Sequence, residues 1–289
     1  MRRLVAIALA CAALAAACAS PPAPTPTPAP PEVRAILATT DLRVGEQRLA
    51  FLLVTDQDIV REPSASVRVA PEDDPAAVRT ATAHFREWPL GSRGAYATDL
   101  EFDRPGAWRL DLSVGAGSAS IVVEVAAESA IVDIGGLPPF AANKTLANVD
   151  RIDQLTSDPT PDPELYTTTI PQALIAGRPA VVVFATPALC TSPTCGPQVD
   201  TVSELRERRA QDATFIHVEV YDNLADIQGD LANAVYSPLV DAWGFTTAPE
   251  WFNESWTYVL GADGRVTARF EGFATLEELD AALSAALAA

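Results

Sequence analysis

Apolar and polar residues alternate in short runs through the first half of the chain. In Arg48 to Thr55, the residues Leu49, Phe51 and Leu53 fall on one face. The same period of two groups Tyr96, Thr98, Leu100 and Phe102, and again Trp108, Leu110, Leu112 and Val114. That period belongs to strands with one face buried. Ser120 to Val125 reads as a more continuous apolar strand. The segments Glu72-Asp73-Asp74-Pro75, Pro89-Leu90-Gly91-Ser92 and Asp103-Arg104-Pro105-Gly106 separate the runs as turns.

The pattern changes in the second half. Ile170 to Gly177 predicts a helix, and Ala180 to Ala185 (AVVVFA) is an unbroken apolar run, as in a strand covered on both faces. Val199 to Gln211 predicts a helix with Val202 and Leu205 inward. Strands are expected over Ala213 to Tyr221, Trp256 to Leu260 and Arg265 to Glu271. Asp263-Gly264 forms the turn between the last two. Thr275-Leu276-Glu277-Glu278 is a capping box that opens a final helix.

The two patterns predict two domains. Residues 33–128, with about seven strands, resemble an immunoglobulin-like β-sandwich without its inter-sheet disulfide. Trp108 is expected in its core, and His84 on its surface with no role. Residues 129–289 form the α/β part.

Composition narrows the function. The chain has 289 residues with 48% hydrophobic and 20% charged, enough apolar content for packed cores. Its formal charge of −18 argues against a nucleic-acid partner and against electrostatic docking on anionic lipid. No run of 18 apolar residues signals a polytopic membrane protein.

The first residues read as an export signal, residues 1–17: Arg2 and Arg3, then an apolar stretch from Leu4 to Ala17. Leu14-Ala15-Ala16-Ala17-Cys18 resembles a bacterial lipobox, with Ala in the place usually held by Leu. The resemblance implies lipidation of Cys18, hence a membrane anchor and an extracytoplasmic location. Residues 18–32 are the anchor and stalk. Seven of the eleven residues from Pro21 to Pro31 are proline. Such a segment extends as polyproline II at roughly 3.1 Å per residue. Four cysteines are encoded. Once Cys11 leaves with the signal and Cys18 carries lipid, Cys190 and Cys195 remain, a disulfide candidate in an oxidising compartment.

Val181-Val182-Val183-Phe184-Ala185-Thr186, then Cys190-Thr-Ser-Pro-Thr-Cys195-Gly196-Pro197, then Thr257-Tyr-Val-Leu-Gly-Ala-Asp-Gly-Arg265 resemble the thioredoxin superfamily. The closest flavour is that of extracytoplasmic redoxins related to cytochrome-maturation thioredoxins and SCO-type copper-delivery proteins. The resemblance implies a redox-active disulfide, thiol–disulfide exchange with protein partners in the cell envelope, and no cofactor. Copper(I) held by the two thiolates, or a structural disulfide in a non-catalytic module, are the alternative readings.

Four residues separate the cysteines, where the family usually has two. Along one helix, that spacing turns about 500° and rises about 7.5 Å, too far for a bridge. Pro193 also disfavours helix at Ser192. Cys195 is therefore placed at the helix N-terminus, with Cys190 on the preceding loop and Pro197 at the first helical position. The Cys195-Gly196-Pro197 match makes Cys195 the expected lower-pKa thiol, since a helix N-terminus stabilises thiolate. Aligning first cysteine to first cysteine favours Cys190 instead. Ser255 stands where the family has a cis-proline, which with Trp256 marks the expected substrate-binding edge. A trans bond is expected before Ser255. No histidine stands nearby to complete an SCO-type metal site. His217 falls where the family has a buried lysine; it is a candidate proton shuttle, and the bland alternative is a hydrogen-bonded core histidine. Trp243, Trp251 and Trp256 are expected either beside the cysteines or in the core.

Overall fold

In this computed structural model the described residues are 32–89, 91, 93–248, 251 and 255–289. The expected signal peptide, Cys18 and nearly all of the stalk lie outside them. The described chain belongs to one compact unit, Pro31–Ala289. No helix among the described residues is long and apolar enough to cross a membrane.

Seven strands come first: β1 (Arg34–Leu37), β2 (Gly45–Val54), β3 (Ser64–Pro71), β4 (Arg79–Glu87), β5 (Gly94–Phe102), β6 (Gly106–Val114) and β7 (Gly117–Val125). They pair antiparallel in the order β1-β2-β5-β4-β3-β6-β7. Strands β3, β4 and β5 form a meander, and β6 returns beside β3, a Greek key. The alternation read from the sequence is the one that is buried. Leu49, Phe51, Leu53, Tyr96, Trp108, Leu110 and Leu112 share one core. His84 is exposed on β4.

Where the sequence reading expects a two-sheet sandwich, the seven antiparallel strands hydrogen-bond as one continuous sheet around one core. A bridge between Arg43 and Ala126 ties the two ends of the sheet region together.

The α/β part follows. After α1 (Ile170–Ala176) come β8 (Ala180–Ala185), α2 (Cys195–Arg209) and β9 (Thr214–Glu219). Then follow α3 (Leu224–Ile227), α4 (Pro238–Ala242), β10 (Trp256–Leu260), β11 (Val266–Glu271) and α5 (Leu276–Ala288). The sheet order is β11-β10-β8-β9, with β8 and β9 parallel and β10 antiparallel to its neighbours. That order, with α2 as the crossover, is a thioredoxin-like region.

Local signals mark the helix ends. Gly177 caps α1 at φ 63°, a conformation glycine adopts without strain. The Thr275 hydroxyl and Glu278 carboxyl form the predicted capping box of α5. All six residues of β8 are buried, because helices cover both faces. Val181 and Val183 meet α2 and α5 through Val199, Val202, Leu279 and Leu283. Val182 and Phe184 meet α1 and α4 on the other face, beside Trp243, Phe245 and Tyr258.

The two sheet regions meet through buried charge. Arg269 on β11 pairs with Asp41 at 2.8 Å and with Asp133 at 3.2 Å. Asp133 also pairs with Arg43. The Glu271 carboxylate accepts from the Thr40 backbone at 2.7 Å and from its hydroxyl. Arg48 on β2 reaches Glu278 on α5 at 2.8 Å.

Candidate redox site

Strand β8 delivers the chain to the site. At its end the Thr186 carbonyl accepts from the backbone N–H of Leu189 at 3.1 Å and of Cys190 at 3.0 Å. This turn carries Cys190 out of the sheet. Ser192 and Thr194 then share a hydroxyl–hydroxyl hydrogen bond of 2.7 Å, and the Thr194 N–H donates to the Ser192 hydroxyl at 3.3 Å. Helix α2 begins at Cys195. A disulfide joins Cys190 to Cys195, with Cα atoms 6.1 Å apart, inside the range that admits a bridge. The loop-plus-helix placement inferred from spacing is the one observed. The helix starts earlier than expected, however, so Pro197 is its third residue, still among those whose N–H needs no intrahelical acceptor.

The two sulfurs differ in access. Cys195 is 0% exposed, whereas Cys190 is partly exposed. Of the two, Cys190 is the sulfur open to solvent. Cys195 keeps the helix N-terminus, with no acidic residue in the first turn to oppose a thiolate there.

Ser255 sits beside Thr194, the residue before Cys195. Its hydroxyl donates to the Gly272 carbonyl at 3.2 Å and lies 3.4 Å from the Thr194 hydroxyl. Ser255 is 0% exposed and Trp256 2% exposed. Trp256 packs on Phe245 and Tyr258, beneath Arg269 at 5.5 Å. The peptide bond before Ser255 starts at residue 254, outside the described residues. Trp243 is core. Trp251 lines a cavity of about 300 Å³ together with Thr191, Ser192, Phe273 and, from the first sheet, Leu52 and Trp88.

His217 is buried on β9. Its Nε2 lies 3.0 Å from the Ala185 carbonyl, which only accepts, so Nε2 carries the proton. Its Nδ1 therefore accepts from the Tyr166 hydroxyl at 2.6 Å. Burial pushes its pKa down to about 4, against the Ala185 hydrogen bond. The ring is held neutral, and neither of these two contacts is to a cysteine.

One residue of this neighbourhood has no role in the sequence reading. Glu219 lies two positions after His217 on the same strand face, nearly fully buried. Burial pushes its carboxyl up to about 7, against hydrogen bonds from Thr186 and Ser157. The available signal was a carboxylate inside an otherwise apolar strand. Among the described residues, no three His, Cys, Asp or Glu side chains gather to hold a metal ion.

No family model matches the sequence, and no curated protein matches it. Some solved structures do. A thiol:disulfide interchange protein of the thioredoxin family from Chlorobium tepidum TLS shares 17% identity, covering 46% of this chain and 97% of that one, at a TM-score of 0.33. BsSco, a member of the Sco family of cytochrome c oxidase assembly proteins, shares 14%, covering 39% and 81%, at 0.27. A thioredoxin-like protein in its oxidised form shares 16%, covering 38% and 78%, also at 0.27. The fold assignment rests on the strand order and on the position of the disulfide.

Proposed function

We propose that the protein is an extracytoplasmic thiol–disulfide oxidoreductase, held at the membrane through lipidated Cys18. The carrying observation is the disulfide at the β8–α2 junction, with one sulfur accessible and the other at a helix N-terminus.

In the oxidised form a partner thiolate attacks the Cys190 sulfur. The Cys190–Cys195 bond breaks, and Cys195 leaves as the thiolate that the helix end favours. The partner's second thiolate then attacks its own sulfur in the mixed disulfide and releases Cys190. Two electrons pass from the partner dithiol to the pair, and each released thiolate takes up one proton. In reverse, Cys190 attacks a partner disulfide and Cys195 resolves the intermediate. Ser255 and Trp256 are buried by side chain, so a partner strand would meet the backbone edge at Ser255. The cavity beside Thr191 and Ser192 offers room for residues flanking its cysteine.

The test is trapping. Cys195→Ser is expected to accumulate a mixed disulfide with a dithiol or disulfide partner protein, and Cys190→Ser to form none. The opposite pattern assigns the exchanging sulfur to Cys195. No adduct with either variant would reject exchange.

A further inference from the structure

The first sheet carries apolar residues on the face away from its core, and there it closes on the disulfide loop. Along β2 the core positions Leu49, Phe51 and Leu53 alternate with Ala50 and Leu52. On a strand with one face in water those alternate positions are polar. Ala50 and Leu52 instead wall the cavity of about 300 Å³ that Thr191 and Ser192 also line. Trp88, just past the end of β4, extends this wall. Its N–H donates to the Arg93 carbonyl at 2.9 Å, and its ring lies 6.3 Å from that of Phe273. The Cys190 sulfur is 3.7 Å from the Ser192 hydroxyl, so the cavity borders the accessible sulfur.

We propose that the first sheet is half of the substrate site: Leu52 and Trp88, with Trp251 and Phe273 from the α/β half, take up one large uncharged side chain beside the partner's cysteine. The β half thereby selects which partners exchange with Cys190. The proposal deepens the exchange reading and rests on it.

The occupant follows from the place of the sulfur and the chemistry of the lining. A thiolate that attacks Cys190 brings its own chain with it, and an extended chain advances roughly 3.3 Å per residue. The residues one and two places from the attacking cysteine therefore come within reach of the cavity. Its volume lies at the small end for a ligand pocket, which suits a side chain and not a folded loop. Among the described lining residues Glu271 is the one ionisable group. Its carboxylate accepts from the Thr40 hydroxyl and from the N–H groups of Thr40 and Asp41. An acidic side chain would find no cation here and one opposing carboxylate. A basic one would compete with those donors for the same oxygens. Leu52, Trp88, Trp251 and Phe273 offer an apolar side chain surface to bury against.

The experiment measures how fast dithiol peptides reduce the oxidised full chain. The peptides differ only in the residue that flanks their cysteines: Phe, Leu, Gly, Asp or Lys. In each reaction the peptide dithiol is oxidised to its disulfide, two electrons pass to the Cys190–Cys195 bridge, and alkylation of the two freed thiols is followed by mass. Each rate is divided by the rate with dithiothreitol, which carries no flanking side chain. Wild type is expected to favour the Phe and Leu peptides over the other three by about tenfold, the effect of partly burying one such side chain. Leu52→Asp and Trp88→Ala are each expected to cut that preference to about twofold. Both side chains are half-buried and lie outside the core of the first sheet. A wild-type protein with no preference for Phe and Leu overturns the proposal, and so does an undiminished preference in either folded variant. Should one variant not fold, the other decides. If no dithiol reduces the bridge, dithiothreitol included, the exchange reading itself fails and takes this proposal with it; reduction without selectivity sinks the proposal alone.

Discussion

Burial of a single ionisable group sets both its chemistry and its effect on stability. His217, held neutral with a pKa near 4, binds fewer protons folded than unfolded between about pH 4 and 6.5. Its contribution is therefore present above pH 6.5 and lost as pH falls through that window. Glu219 and Glu271 are both raised by burial to about 7, so the folded state binds more protons between about pH 4.5 and 7. Their contribution has the opposite sign: it is present below pH 4.5 and lost as pH rises toward 7. Each shift is worth on the order of 3 kcal/mol. Two groups favour acid and one opposes it, so denaturant melts are expected to show greater stability at pH 5.5 than at pH 8. Replacing His217 by Phe removes its term and takes away the nitrogen that accepts the Tyr166 hydroxyl proton, at a cost of about 1–3 kcal/mol. The pH profile of thiol reactivity is expected to stay unchanged; a shifted profile would support the shuttle role.

At the scale of elements, much was legible because local rules decided it. Strand β8 and the capping box of α5 depend on an apolar run and a four-residue signature, and both appear where the sequence places them. Thr275→Ala is expected to cost about 1 kcal/mol in unfolding free energy, since it removes the hydroxyl that accepts from the Glu278 N–H. The start of α2 was less legible. Helical periodicity becomes visible at Val199, but the helix begins at Cys195, where the disulfide and Pro197 replace periodicity as the cue. Which sulfur faces solvent was not legible either. It depends on the Thr186 turn and on Cys195 joining a core built from β8, α2 and α5, three separate elements. The Glu219 network was hidden for the same reason, because Ser157 lies 62 residues away in sequence.

At the scale of the whole molecule, periodicity separated an all-β half from an α/β half but carried nothing about their junction. The link from Asp41 to Arg269 spans 228 residues, and neither residue stands out in its own segment. Both side chains are nearly inaccessible, at 5% and 6%. Removing one partner from such a pair costs about 3–5 kcal/mol, because it strands the other charge. Arg269→Ala is expected to destabilise the protein by that amount in chemical denaturation, and a loss below about 1 kcal/mol would show that the junction does not rely on this pair. The same junction brings Leu52 and Trp88 of the first sheet to the cavity beside Thr191 and Ser192, so a partner entering there would touch both halves.

The reduction potential of the Cys190–Cys195 bridge tests the central claim most directly. A redox-active pair is expected between roughly −120 and −270 mV, where partners in the envelope exchange with it. A value below about −300 mV would mean a bridge that resists reduction, and would contradict an exchange function.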